Sequence, residues 1–153
     1  MSKILKFKYW VSVSVFFGIL LYVYALLPEQ VGVYYDNIGS PVVETSKAMF
    51  FYTFIGLFII TNGIIMVYQG MLVPKKDVSM QYFSELPFIH KLYHWMTGLS
   101  TIFNVTFSFS LLYVGLYNSR DVNPDHYLSL VFIGPVFLVC WLIYLLYLKV
   151  MDK

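Results

Sequence analysis

Charge is what this sequence has least of. Only 12% of its 153 residues are Asp, Glu, Lys or Arg, about half the share usual in a soluble domain. So little charge leaves too little polar surface to clothe a globule in water, which excludes an ordinary soluble fold and makes the bilayer the expected solvent. No run of four or more Lys or Arg occurs and the net charge is +2, so nothing marks nucleic acid as a partner. The one cysteine, Cys140, excludes an intrachain disulfide and leaves the redox compartment unmarked. A Ser-His-Asp set, paired carboxylates, a Gly-rich phosphate loop and a CxxC pair are all missing.

What is there is apolar. Hydrophobic residues make up 59% of the chain and aromatics 20%, and the mean hydropathy is +0.73. Four stretches carry no charged side chain: Tyr9–Leu27, Ala48–Tyr68, Trp95–Tyr117 and Tyr127–Leu148. Each reaches the roughly 20 residues a helix needs to cross a bilayer. Backbone groups in lipid must be satisfied within the segment, so helices are the expected form. The first run follows Lys3, Lys6 and Lys8 as a signal peptide would, but it continues to Leu27 and ends in Leu-Leu-Pro-Glu with no small-residue cleavage site. It reads as an uncleaved span. The sequence predicts one membrane domain over residues 1–153: an all-α, integral membrane four-helix bundle with an ordered outer loop.

Basic residues set the orientation. With the N-terminus inside, Lys3, Lys6, Lys8, Lys75, Lys76, Lys91, Lys149 and Lys153 lie on the inner side, and only Lys47 and Arg120 outside. Glu29, Asp36, Glu44, Asp121 and Asp125 fall outside, against Asp77, Glu85 and Asp152 inside. Both ends are therefore expected in the cytoplasm. Tyr9, Trp10, Tyr68, Tyr93 and Trp95 fall at the inner interface, and Tyr117 and Tyr127 at the outer one, where anchoring is the simplest reading. On the inner side Pro74-Lys75-Lys76-Asp77 reads as a turn. Ser84 then reads as the N-cap of a short interfacial helix, with Pro87 in its first turn. The short loop Asn118–His126 makes the third and fourth helices antiparallel neighbours.

Few residues suggest chemistry. His90 and His94 share a helix face, but Lys91 stands where a zinc-protease motif needs Glu, and His126 lies across the membrane. No metal and no other cofactor is expected. Thr97, Thr101, Asn104 and Ser108 recur on one face of the third span, and Asn62 lies within about 3 Å of the depth of Asn104. These five are candidate interhelical polar contacts. Glue between helices is the preferred reading over a solute path, because no span holds an ionisable side chain of the kind ion carriers keep. Gly134-Pro135 reads as a structural kink in the fourth helix, and Cys140 as a small core residue. No residue is singled out as catalytic.

The loop after the first span is the most distinctive stretch. Pro28 stops the helix, Val31, Val33 and Tyr35 alternate as an extended piece, and Asp36-Asn37-Ile38-Gly39 reads as a tight turn. Leu27, Pro28, Val31, Asp36 or Asn37, Gly39, Pro41 and Ser46-Lys47 together resemble the bacterial membrane domain of unknown function at the start of SdpI-like immunity and signalling proteins. The resemblance covers roughly residues 10–70. The family's second proline is Gly32 here, its histidine Tyr34, and its following Phe is Tyr35. The resemblance implies a bacterial cytoplasmic (inner) membrane protein that works in immunity, sensing or signal relay through another membrane protein. Glu29, Tyr34, Tyr35, Asp36, Asn37, Gly39 and Pro41 form the candidate outer-loop partner surface. An accessory subunit of a larger inner-membrane complex is the alternative, ahead of a small transporter or a membrane enzyme. Membrane lipids are the other expected partner.

Overall fold

A computed structural model describes residues 3–35, 41–72, 87–118 and 129–150. Helix α1 (Lys3–Leu26) is followed by strands β1 (Gln30–Tyr35) and β2 (Pro41–Ser46), then by helices α2 (Lys47–Leu72), α3 (Pro87–Tyr117) and α4 (Ser129–Val150). All four helices are long and apolar enough to cross a membrane. Each extends past its uncharged run at one end or both. A helix does not stop where the hydrocarbon does, and the lysines of its first turns can stay in water.

The third helix is the hub. Helix α3 packs closely against α1, α2 and α4, while the backbones of α1 and α2 stay further apart and meet through large side chains, and α4 packs on no other described element. The expected four-helix bundle is thus a three-helix core with a fourth helix on one flank. Ser12 reaches Asn104 and Val23 meets Gly115, so α1 and α3 run in the same direction. Asn62 pairs with Asn104 and Gln69 with Thr97, so α2 runs against α3. Trp95 pairs with Trp141, and Thr106 meets Gly134, so α4 runs against α3 as the short loop predicts. Leu5 and Leu148 line one cavity, which brings the start of α1 and the end of α4 to the same end of the molecule.

Burial along α1 explains its packing. Ser12, Phe16, Leu20 and Val23 are its buried residues, a spacing of three and four that forms one face. Towards the hairpin the core is apolar and holds Phe16, Leu20, Val23, Leu27, Val31, Phe50 and Leu111. Phe16 stacks on Phe58 of α2 with ring centroids 4.7 Å apart. Away from the hairpin the core turns polar.

Three expectations are corrected. Residues from Phe88 to Tyr93 are the opening turns of α3 and not a separate interfacial helix. Cys140 is exposed and is no core residue, because α4 has one neighbour and turns most of its circumference outward. Trp95 is buried and does not face headgroups, because its indole is committed to α4. The turn at 74–77, Ser84, the loop beyond Asn118, Tyr127 and His126 lie outside the described residues.

Candidate functional site

Two places in the fold concentrate specific contacts. The first is a chain of polar side chains inside the three-helix core. Asn62 Nδ2 donates to Asn104 Oδ1 at 2.9 Å and to the Phe58 carbonyl at 3.0 Å. Ser100 donates its hydroxyl to Asn62 Oδ1. Asn104 Nδ2 donates to Ser12 Oγ at 3.1 Å, and Ser12 in turn donates to the Tyr9 carbonyl at 2.7 Å. About two turns further from the hairpin, Gln69 Nε2 donates to Thr97 Oγ1 at 2.8 Å. Asn104 is fully buried and Asn62 is 4% exposed. A buried amide without partners would cost several kcal/mol in hydrocarbon, and here each amide serves the other.

The structure brings Asn62, Thr97 and Asn104 into contacts between helices. Thr101 and Ser108 lie on the same face, but their hydroxyls return to their own helix, to the carbonyls of Thr97 and Asn104. They fill space beside the network and do not bridge helices. Ser12, Gln69 and Ser100 complete the network, and the sequence reading missed them. A signal for two of them was present. Gln69 follows Asn62 by seven residues, as Asn104 follows Thr97, so two antiparallel helices in register present two polar rungs. Ser100 lies three residues after Thr97 and four before Asn104, on the same stripe. Ser12 stands alone in an apolar run and gave no such signal.

The second place is the loop between α1 and α2, which is an antiparallel hairpin. Gln30 pairs with Ser46, Val31 with Thr45, Gly32 with Glu44 and Tyr35 with Pro41, with bulges on either side of Tyr34. The extended piece predicted at Val31–Tyr35 is β1. Lys47 N–H donates to the Glu29 carbonyl at 3.0 Å, closing the hairpin base. Ser46 Oγ accepts from the Met49 N–H at 3.2 Å, the N-cap contact that starts α2. The Lys47 ammonium stands 4.8 Å from the centre of the Tyr24 ring, a cation–π contact.

Asn118, the residue after α3, fastens this hairpin to that helix. Asn118 Oδ1 accepts from the Gly32 N–H at 2.8 Å, and Asn118 Nδ2 donates to the Gly32 carbonyl at 3.0 Å. The amide thereby occupies the free edge of β1 as a neighbouring strand would. The Tyr35 hydroxyl donates to the same carbonyl at 3.1 Å, and its ring lies 4.0 Å from that of Tyr117. A Cβ at position 32 would come within 2.2 Å of the Tyr35 hydroxyl, so a larger residue there would push the Tyr35 side chain off the Gly32 carbonyl. Burial holds the Tyr35 phenol above the ordinary tyrosine pKa, with further upward pushes from Tyr117, Glu44 and Tyr113 and a smaller downward one from Asn118. Of the candidate surface, Glu29, Tyr34 and Pro41 are exposed and Tyr35 is half-buried. Asp36, Asn37 and Gly39 lie outside the described residues. Asn118 was read as loop, and only the fold reveals what it reaches.

Among the described residues no three His, Cys, Asp or Glu side chains gather into a metal-binding group. His94 and Lys91 line a cavity of about 230 Å³ with Trp141 and Tyr144. Compared with family models, curated proteins and solved structures, the chain matches none.

Proposed function

We propose that this chain is a non-catalytic protein of the bacterial inner membrane, with both ends in the cytoplasm, that acts through protein–protein contact at its outer hairpin. The SdpI-like resemblance of residues 10–70 suggests immunity, sensing or signal relay as the setting. The observation that carries the reading is the hairpin's construction. Asn118 closes the edge of β1, while β2 keeps Val42 and Val43 59% and 49% exposed. A hairpin with one edge closed and, among the described residues, one open, apolar edge is suited to accept an extended segment of another chain. The orientation is supported by the lysines of the described helices. Lys3, Lys6, Lys8, Lys91 and Lys149 cluster at the end away from the hairpin, and Lys47 alone lies beside it. The mutual pairing of Asn62 and Asn104 supports glue over a solute path.

A photo-crosslinking residue at Val42 tests the partner reading in living membranes. One discrete protein adduct is expected, lost when Val43→Asp and Glu44→Lys are added. Adducts to lipid alone would count against it. A second reading, an accessory subunit, is supported by α4, whose Phe137, Leu142, Ile143 and Leu146 are all more than half exposed. It predicts the protein adduct from Ile143 instead, in fixed ratio with larger membrane proteins.

A further inference from the structure

We infer that the cleft between α1 and α2, at the end away from the hairpin, is a binding site for one anionic glycerophospholipid. The two helices meet through rings at Phe16, Phe17 and Tyr24, with Phe58 and Phe51 opposite, and beyond these, away from the hairpin, a cavity of about 240 Å³ opens between them, floored by α3. Its walls change chemistry with depth. Lys6 stands at the rim, Trp10 and Met66 flank the opening, and Gln69, Thr97 and Ser100 form the floor.

Each layer matches a part of such a lipid. Lys6 is exposed on the opening turns of α1, and the described carboxylates, Glu29 and Glu44, both sit at the hairpin end. Among the described residues no carboxylate shares its end of the molecule, and the headgroup level is where a lysine at the end of a span reaches, so its charge suits a phosphate. Trp10 and Met66 are 64% and 62% exposed and give an apolar channel for an acyl chain. The floor is the discriminating feature. Thr97 and Ser100 are almost buried yet line the cleft, so a bare acyl tail would meet hydroxyls and an amide. Gln69 spends its Nε2 on Thr97 and the Tyr93 carbonyl, and no hydrogen bond among the described residues uses its Oε1. A headgroup with hydroxyl donors, as in phosphatidylglycerol, supplies both the phosphate for Lys6 and a donor for Gln69. The site is independent of the hairpin and of any partner docked there.

Native mass spectrometry of the full chain, released from micelles with equal amounts of phosphatidylglycerol and phosphatidylcholine, tests this. One phosphatidylglycerol should be retained over phosphatidylcholine by about fivefold, the factor that one lysine contributes near an anionic surface. Lys6→Gln should bring the two lipids to parity, and Lys6→Arg should keep the preference. Lys8→Gln should also keep it, because Lys8 lines a separate cleft between α1 and α3. Inorganic phosphate should not displace the lipid. Equal retention of both lipids by the unaltered chain would overturn the proposal. So would equal losses from Lys6→Gln and Lys8→Gln, which mean a diffuse basic surface, or displacement by phosphate alone.

Discussion

The two sides of α3 are joined to their neighbours by different means. Towards α1 and α2 the joint is a network in which Ser12, Asn62, Ser100 and Asn104 each satisfy another member. Towards α4 it is a reciprocal pair of indoles: Trp95 Nε1 donates to the Trp141 carbonyl at 2.9 Å, and Trp141 Nε1 to the Trp95 carbonyl at 3.1 Å. Around that pair the joint relies on shape. Lipid tails are as apolar as leucine, so apolar burial drives neither joint strongly. A network tolerates small movements, because one amide can turn to another partner. A joint of shape does not, because a ring and a glycine either interlock or collide. The two should therefore fail differently.

The largest effect is expected where shape leaves no room. A Cβ on Gly98 would lie 2.2 Å from Trp141 Cζ2. Gly98→Val should force the indole out, break both indole bonds and cost about 1–3 kcal/mol through overpacking. Since α4 has no other described neighbour, it should come away first. Thermal unfolding in mild detergent should split into two steps, with α1, α2 and α3 melting near their original temperature. A single transition shifted as a whole would break the distinction between the two joints.

Asn104→Leu attacks the other joint. It keeps much of the volume and removes the amide that links α2 to α1. The expected loss is about 0.5–2 kcal/mol, within the range of polar contacts between membrane helices. Unfolding should here remain one transition, because the three helices share the lost contact. A comparable change at Ile143, exposed on α4, should do less. If Asn104→Leu costs no more than that control, the network is not what holds these helices. Trp141→Phe should cost less again, about 0.6 kcal/mol for one hydrogen bond, since the ring still fills the space beside Gly98. It would sharpen the comparison by separating the indole bond from the indole's shape.

How much of this could be read from the sequence follows the physics of each signal. The four spans were legible because lipid demands an uninterrupted apolar run, and such a run is visible in one dimension. Asn62 and Asn104 were legible because an amide in a span is rare and both lie at one depth. Residues that act by exclusion were not. Gly98 matters only because Trp141 crosses it, and nothing in the sequence says which helix α4 leans on. The standing of Cys140 and Trp95 failed for the same reason: buried and lipid-facing positions are equally apolar, so the pattern cannot tell them apart. The three close helix pairs and the one loose pair are a fact of packing, and periodicity along one helix does not report it. In the hairpin, alternation at Val31, Val33 and Tyr35 was legible, but the clamp spans 86 residues from Gly32 to Asn118.

The smallest expected effect concerns that clamp and separates it from both helix joints. Tyr35 donates a proton to the Gly32 carbonyl, so only the neutral phenol serves. Its pKa in the folded protein is raised above the usual value, first by burial and then by Tyr117, Glu44 and Tyr113. A group whose folded pKa is raised stabilises the fold fully below its unfolded pKa, about 10 for tyrosine, and the benefit is lost as pH climbs through the higher folded value. The hairpin should thus stay docked through neutral pH and loosen only in strong alkali. The hydrogen bonds among Ser12, Asn62, Ser100 and Asn104 and those of the indole pair use no titrating side chain and should not respond. Subtracting the phenolate absorbance of Tyr35→Phe from that of the unaltered chain isolates this one tyrosine. The difference curve should rise above pH 10, and protease cutting within the hairpin should increase over the same interval, only in the chain that keeps Tyr35. A difference curve centred at or below the usual value would mean that the phenol is not held against the Gly32 carbonyl. Asn118 would then be the whole of the clamp.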